Sequence, residues 1–204
     1  MTTGKLIHRI YTTFFMLLCV ALFSTATEAR QLDDVTLPDS VTLDGTDVVL
    51  QLNGMGYRTK FIFNIYVGAL YTESKVTTRD AAQALKGPKR IVMHMVYDEV
   101  SKEKMASGWN EGFEENNSDE QLKKLKTRLN TFIAYFPDLK EGNIVLLDYI
   151  PGTGTRVNIN GKEKGVIQGA DFYTALLDVW LGEEPADDDL KEAMLGEVDD
   201  SSPY

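Results

Sequence analysis

The sequence predicts an α+β domain in which an antiparallel sheet carries helices packed on one face. Strand-like segments gather toward both ends of the chain, and amphipathic helices fill the middle and the last stretch. Short turns such as Asp44-Gly45 and Asn160-Gly161 join neighbouring strands, whereas a parallel sheet would need a helical crossover between each pair.

The first thirty residues stand apart from this domain. Lys5, His8 and Arg9 make a basic start, and Tyr11 to Phe23 is an apolar run too short to cross a bilayer core, which takes about 20 residues. Small residues follow, Ser24-Thr25-Ala26-Thr27-Glu28-Ala29, so residues 1–29 read as a signal peptide cut after Ala29, with Ala26 the second choice, and residues 30–204 as the domain. The expected location is periplasmic or secreted. Cys19, the only cysteine, lies in the apolar run, so the mature chain has no thiol for a disulfide or a metal site. No later segment is apolar for long enough to span a membrane as a helix.

Taken in order, residues 30–40 read as a lead-in rich in Asp33, Asp34, Pro38 and Asp39. Val41 to Leu43 and Val48 to Leu52 are short strands around Asp44-Gly45, and Asn53-Gly54-Met55-Gly56 reads as a second turn. From Tyr57 to Tyr71, Phe61, Phe63, Ile65 and Val67 alternate with Ile62, Asn64, Tyr66 and Gly68, the pattern of one long strand covered on both faces, with Gly68 marking a bulge. Asp80 to Lys86 is a short helix closed by Gly87-Pro88, and Lys89 to Tyr97 is a strand. Two helices follow. Ser101 caps the first, and Ser118 caps the second, whose Leu122, Leu125, Leu129, Phe132, Ile133 and Phe136 recur at helical spacing. Asn143 to Ile150 is a strand, and a hairpin runs through Arg156 to Ile159, turns at Asn160-Gly161 and returns through Val166-Ile167. Asp171 to Leu181 and Asp187 to Leu195 are the last helices.

Charge excludes several functions. Removing the leader with Lys5, Arg9 and Glu28 takes 21 basic and 31 acidic side chains to 19 and 30, a formal charge of −11. Such a surface repels phosphate backbones, which excludes nucleic acid as a partner. His94 is the sole histidine of the mature chain, so no Ser-His-Asp or Cys-His arrangement and no histidine-based metal cluster can form. The sequence points to no catalytic residue, metal or cofactor. His94 itself, between two methionines, reads as a core or pocket-wall residue. Both glycine-rich pieces lead into strands, not helices, and read as turns and not phosphate loops. The carboxylates from Asp98 to Glu115 fall mostly on solvated helix faces. The unusual feature is that Arg58, Ile62, Asn64 and Tyr66 share one parity, which sets a guanidinium, an amide and a phenol among aliphatic neighbours. A buried guanidinium needs an anionic partner, and a carboxylate with an apolar tail would supply one.

Leu52-x-Gly54-x-Gly56-x-Arg58 with Tyr66-Val67-Gly68-Ala69-Leu70-Tyr71 resembles the start of the chalcone isomerase fold. Trp109-Asn110-Glu111-Gly112-Phe113, Asp148 to Thr155 and Leu177 to Gly182 resemble its bacterial chalcone-isomerase-like branch, so the likeness spans roughly residues 35–195. The resemblance implies an open-faced β-sandwich, a long antiparallel sheet with helices on one face. In the isomerases of this family an arginine and a threonine on the opening strands, a tyrosine and an asparagine on a central helix and a threonine on a late helix assist ring closure of a chalcone. Only the arginine has a counterpart here, Arg58. The first threonine position falls on Tyr66, as in fatty-acid-binding relatives, where Arg and Tyr hold the carboxylate, and the other three fall near Val100, Ser107 and Val179.

The resemblance therefore implies a non-catalytic protein that binds a fatty acid or similar small amphiphile in a cleft between sheet and helices, lined by Arg58, Tyr66, Asn64, Trp109, His94 and Phe113. The alternatives are an isomerase or intramolecular lyase, or a module for a protein partner. One expectation runs against the ligand reading. On a straight strand at about 3.3 Å per residue, Arg58 and Tyr66 stand some 26 Å apart, too far to share a head group.

Overall fold

The computed structural model describes residues 29–196; the stretch read above as a signal peptide, up to Glu28, and the acidic tail from Glu197 lie outside the described residues. The strands are β1 (Ala29–Leu32), β2 (Val35–Pro38), β3 (Ser40–Thr42), β4 (Val49–Lys60), β5 (Phe63–Thr72), β6 (Lys89–Met95), β7 (Glu99–Val100), β8 (Leu139–Lys140), β9 (Ile144–Ile150), β10 (Gly154–Ile159) and β11 (Lys162–Ile167). The helices are α1 (Arg79–Ala84), α2 (Lys102–Asn116), α3 (Asp119–Ile133), α4 (Ala170–Leu181) and α5 (Asp188–Met194). Seven strands form one antiparallel sheet in the order β11-β10-β9-β6-β5-β4-β3, while β1 pairs with β2 and β7 with β8.

The expected helices form because their caps and apolar stripes agree. The Ser101 side chain accepts from the Lys104 amide, and Ser118 closes a full capping box with Gln121. Leu125, Leu129 and Phe132 then bring one face of α3 onto the core. Helix α4 is buried almost all round, from Phe172 through Leu181, because it lies inside the helical layer. The helix-side face of the sheet presents Tyr66, Leu70, Met93, Met95, Val145 and Leu147 to this layer.

Several expectations are corrected. Residues 30–40 are not a lead-in: β1 and β2 form a hairpin about Asp33-Asp34, with Asp33 at φ 47°, and bury Val35 and Leu37 over Leu50, Leu52, Val67 and Tyr71 on the second face of the sheet. Asn53-Gly54-Met55-Gly56 is not a turn but the middle of β4, with a bulge between Leu52 and Gly54. The long strand from Tyr57 to Tyr71 is two strands, folded back at the two residues Phe61-Ile62. Its turn escaped notice because it carries no Gly, Asn or Pro, and apolar turn residues carry the alternation straight through.

The glycines of β4 and β5 have a steric reason. A Cβ on Gly54 would lie 1.9 Å from the Ala193 carbonyl oxygen, one on Gly56 2.6 Å from the Ala193 Cβ, and one on Gly68 3.0 Å from Leu190. The three make a smooth track on which α5 lies directly against the backbone, so Gly68 marks a close approach and not a bulge. Polar contacts fix α5 at both ends. The buried Asn53 side chain donates to the carbonyls of Met194 (2.7 Å) and Val76 (2.8 Å), and Asp187 caps α5 through the Leu190 amide while accepting the Thr59 amide, each at 2.9 Å.

On the second face, Asp148 of β9 sits between Arg90 of β6 and Arg156 of β10 in one row across three strands. Its carboxylate accepts from Arg90 Nε (2.5 Å) and Nη2 (2.9 Å) and from Arg156 Nη2 (2.9 Å), with Arg90 and Asp148 both buried.

Candidate ligand site

The fold-back at Phe61-Ile62 brings Arg58 and Tyr66 face to face. They are direct Cα partners across the β4–β5 pair. Partners in such a ladder stand about 4.5–5.5 Å apart, so the expected separation of some 26 Å is overturned. A bulge between Arg58 and Thr59 lies beside the pair, and Asp187 holds the Thr59 amide there.

The two side chains leave donors uncommitted. Arg58 is half-buried, and its Nη1 donates to the carbonyl of the adjacent Thr59. Among the described residues it makes no ion pair, and the carboxylate anchored beside it, Asp187, accepts a backbone amide on each oxygen. Tyr66 is buried. Its hydroxyl accepts from Trp180 Nε1 at 2.9 Å, and no acceptor among the described residues takes its own proton. Burial pushes the Tyr66 pKa up to about 12, against the opposing pull of the Arg58 charge and the Trp180 hydrogen bond. The phenol is therefore a neutral donor at physiological pH. A guanidinium and a phenol O–H thus rise from cross-strand partners on one face of the hairpin, with the Trp180 indole N–H donating to the phenol oxygen, an arrangement that suits an oxyanion.

Behind the pair lies an aromatic layer. Trp109 stands edge-on to Trp180 with ring centroids 5.6 Å apart and to Phe132 at 5.0 Å, and Phe113 packs on Phe172 at 5.5 Å. Trp109 Nε1 is buried with no hydrogen-bond partner, a donor left open one ring away from the Tyr66 hydroxyl.

The structure thus brings together Arg58, Tyr66 and Trp109 and separates the rest. Phe113 is fully buried deeper in the helical layer. Asn64 is exposed, and its Oδ1 accepts from Thr59 Oγ1 at 3.0 Å, which ties the hairpin shut. His94 pairs with Val67 and Ile144 and lies on the opposite face of the sheet from Tyr66, because adjacent residues of a strand point to opposite sides. Desolvation lowers its pKa from the usual imidazole value. The folded chain therefore binds that proton less readily than the unfolded chain, so the stability His94 contributes is present above pH ~6.5 and is lost as pH falls through its folded pKa. We expect His94→Gln to flatten the decline of unfolding free energy between neutral and mildly acidic pH, as measured by urea denaturation. An unchanged slope would remove His94 as its source.

Sequence reasoning missed two parts of the site. Trp180 was visible only as part of a resemblance, and its bond to Tyr66 spans 114 residues. Helix α5 was foreseen as a helix but not as the element lying over β4, although Gly54-x-Gly56 inside an otherwise strand-like stretch was a usable sign of close approach.

The sequence profile of the family described as chalcone isomerase-like matches residues 29–196. The chain belongs to that family. A crystal structure of a fatty-acid binding protein from Arabidopsis thaliana superposes with a TM-score of 0.62, covering 82% of this chain and 96% of that one at 18% sequence identity, which is a likeness of fold. No curated protein sequence matches the chain. Among the described residues no group of acidic, histidine and cysteine side chains could hold a metal ion, and no helix is long and apolar enough to cross a membrane.

Proposed function

We propose that this is an exported, non-catalytic member of the family that binds a fatty acid or similar apolar carboxylate, with the head group between Arg58 and Tyr66 and the tail against the aromatic layer that begins at Trp109 and Trp180. One observation carries the reading: Arg58 and Tyr66 are cross-strand partners whose donors find no acceptor of opposite charge within the described residues. A carboxylate would accept from the guanidinium and the phenol together, and hydrogen bonds to charged groups contribute about 1.5–3 kcal/mol each. The fatty-acid binding protein with the same fold supports the ligand class. The leader-like segment at residues 1–29 supports export to the periplasm or the exterior. The resemblance weighs against the isomerase alternative, because the positions of the side chains that would activate a phenolate fall near Val100, Ser107 and Val179.

Native mass spectrometry of protein recovered from an exporting host reads both claims: the mature chain is expected to begin at Arg30 and to carry a long-chain carboxylate that lipid extraction removes. Added palmitate is then expected to raise the melting temperature, and Arg58→Gln to weaken that binding by about tenfold or more. Stripped protein that gains no stability from palmitate, or an Arg58→Gln variant that binds as well as wild type, would overturn the reading.

A further inference from the structure

The tip of the β4–β5 hairpin is the most exposed apolar feature of the described residues. Phe61 is 90% exposed and Ile62 85%, and Phe63 beside them is half exposed. These residues are not forced there by the turn. Phe61 has φ +60° and Ile62 a negative φ, the sign pattern of a type II′ turn, whose first central position favours glycine and whose second favours small polar residues. The chain instead sets a phenylalanine in a strained backbone conformation and a β-branched residue after it, and gives both to solvent. Conformation and solvation both disfavour the choice, which points to a role outside the folded core.

Position and charge narrow that role. Lys60 pairs with Phe63, Thr59 with Asn64 and Arg58 with Tyr66, so the tip lies a few rungs beyond the carboxylate seat on the same two strands. Phe61 and Ile62 stand beyond the last rung of the ladder, Lys60–Phe63, at the free end of the two strands, a position from which both side chains can enter a fluid apolar phase. Lys60, exposed at the base, has a stem long enough to keep its ammonium in water while its methylenes follow the tip. The neighbouring start of α5 carries Asp187, Asp188 and Asp189, and the whole chain has a formal charge of −10, which disfavours an anionic surface.

We propose that the Phe61-Ile62 tip inserts into the interface of a zwitterionic lipid bilayer and so places the Arg58–Tyr66 seat at the surface from which an apolar carboxylate is collected or to which it is delivered. The inference rests on the fatty-acid reading above. Insertion would bury the side chains at acyl-boundary depth while the acidic flank stays in the aqueous layer.

The test is co-sedimentation of the purified protein with phosphatidylcholine vesicles, compared with vesicles doped with phosphatidylglycerol. The double variant Phe61→Gly with Ile62→Ser suits the II′ turn better, so it should fold at least as stably as wild type while its vesicle partition falls by about tenfold or more. Its thermal shift with vesicle-free palmitate should match that of wild type. A wild-type protein that stays in the supernatant of phosphatidylcholine vesicles overturns the proposal and leaves the tip to a protein partner. Binding that the double variant retains, or that appears only with phosphatidylglycerol, overturns it as well. Tip-dependent vesicle binding by a protein that palmitate does not stabilise would uphold the docking surface and defeat the carboxylate seat, so the two readings fail separately.

Discussion

Asp148→Asn is expected to lower the unfolding free energy by about 3–5 kcal/mol, a loss large enough to consume much of a domain's net stability. Asp148 is almost fully buried and, among the described residues, carries the only negative charge bonded to Arg90 and Arg156. An asparagine has nearly the same shape, but it replaces one acceptor oxygen by an NH2 group that points a donor at a donor, and it leaves two guanidiniums uncompensated in one buried row. Removing one partner of a buried pair exposes the full desolvation cost of what remains, which is why the loss exceeds the worth of any one hydrogen bond. For a domain of this size the melting temperature should fall by about 6–20 °C. Urea denaturation monitored by circular dichroism measures it, and a loss below about 1 kcal/mol would show that Arg156 and Arg90 find other partners or solvent.

Gly54→Val is expected to cost about 3 kcal/mol, the upper end for an overpacked core, and to do so by lifting α5. Its Cβ would stand 1.9 Å from the Ala193 carbonyl oxygen and 3.0 Å from the Ala193 and Met194 carbonyl carbons, all of them backbone atoms that no rotamer change can move. Shifting α5 breaks the bond from Asn53 to the Met194 carbonyl and strains the Asp187 bridge to Thr59, so the disturbance reaches the residue next to Arg58. Hydrogen exchange should then rise across Asp188–Met194 and along β4 in the variant. A wild-type exchange pattern with wild-type stability would mean that α5 does not press on the track.

The fold class was legible because the local signals agreed with one another. Ser101 and Ser118 announced their helices, Asn160-Gly161 announced its hairpin with φ 53° and 75°, and the segregation of strands from helices pointed to an antiparallel sheet. What stayed hidden was every feature in which a residue type served a distant neighbour. Gly54 and Gly56 look like a turn until α5, some 140 positions later, is laid on them. Phe61-Ile62 looks like strand because nothing local marks the reversal, and with that reversal unseen the two halves of the site stood too far apart to cooperate. Arg58 and Tyr66 were legible as residues and illegible as a pair. His94 was placed in the site by its apolar neighbours, whereas its parity relative to Tyr66 depends on a register that only strand pairing supplies.

The anchoring of α5 has a consequence for the order in which the protein is assembled. The Asn53 side chain grips a carbonyl 141 residues away, close to the end of the described chain. During synthesis the glycine track is therefore laid down early and sealed late, and until α5 emerges the strand pair offers bare backbone and an open apolar flank to whatever is nearby. A message truncated just ahead of Asp188 would freeze the chain in that unfinished condition, with its sheet complete and its seam unclosed.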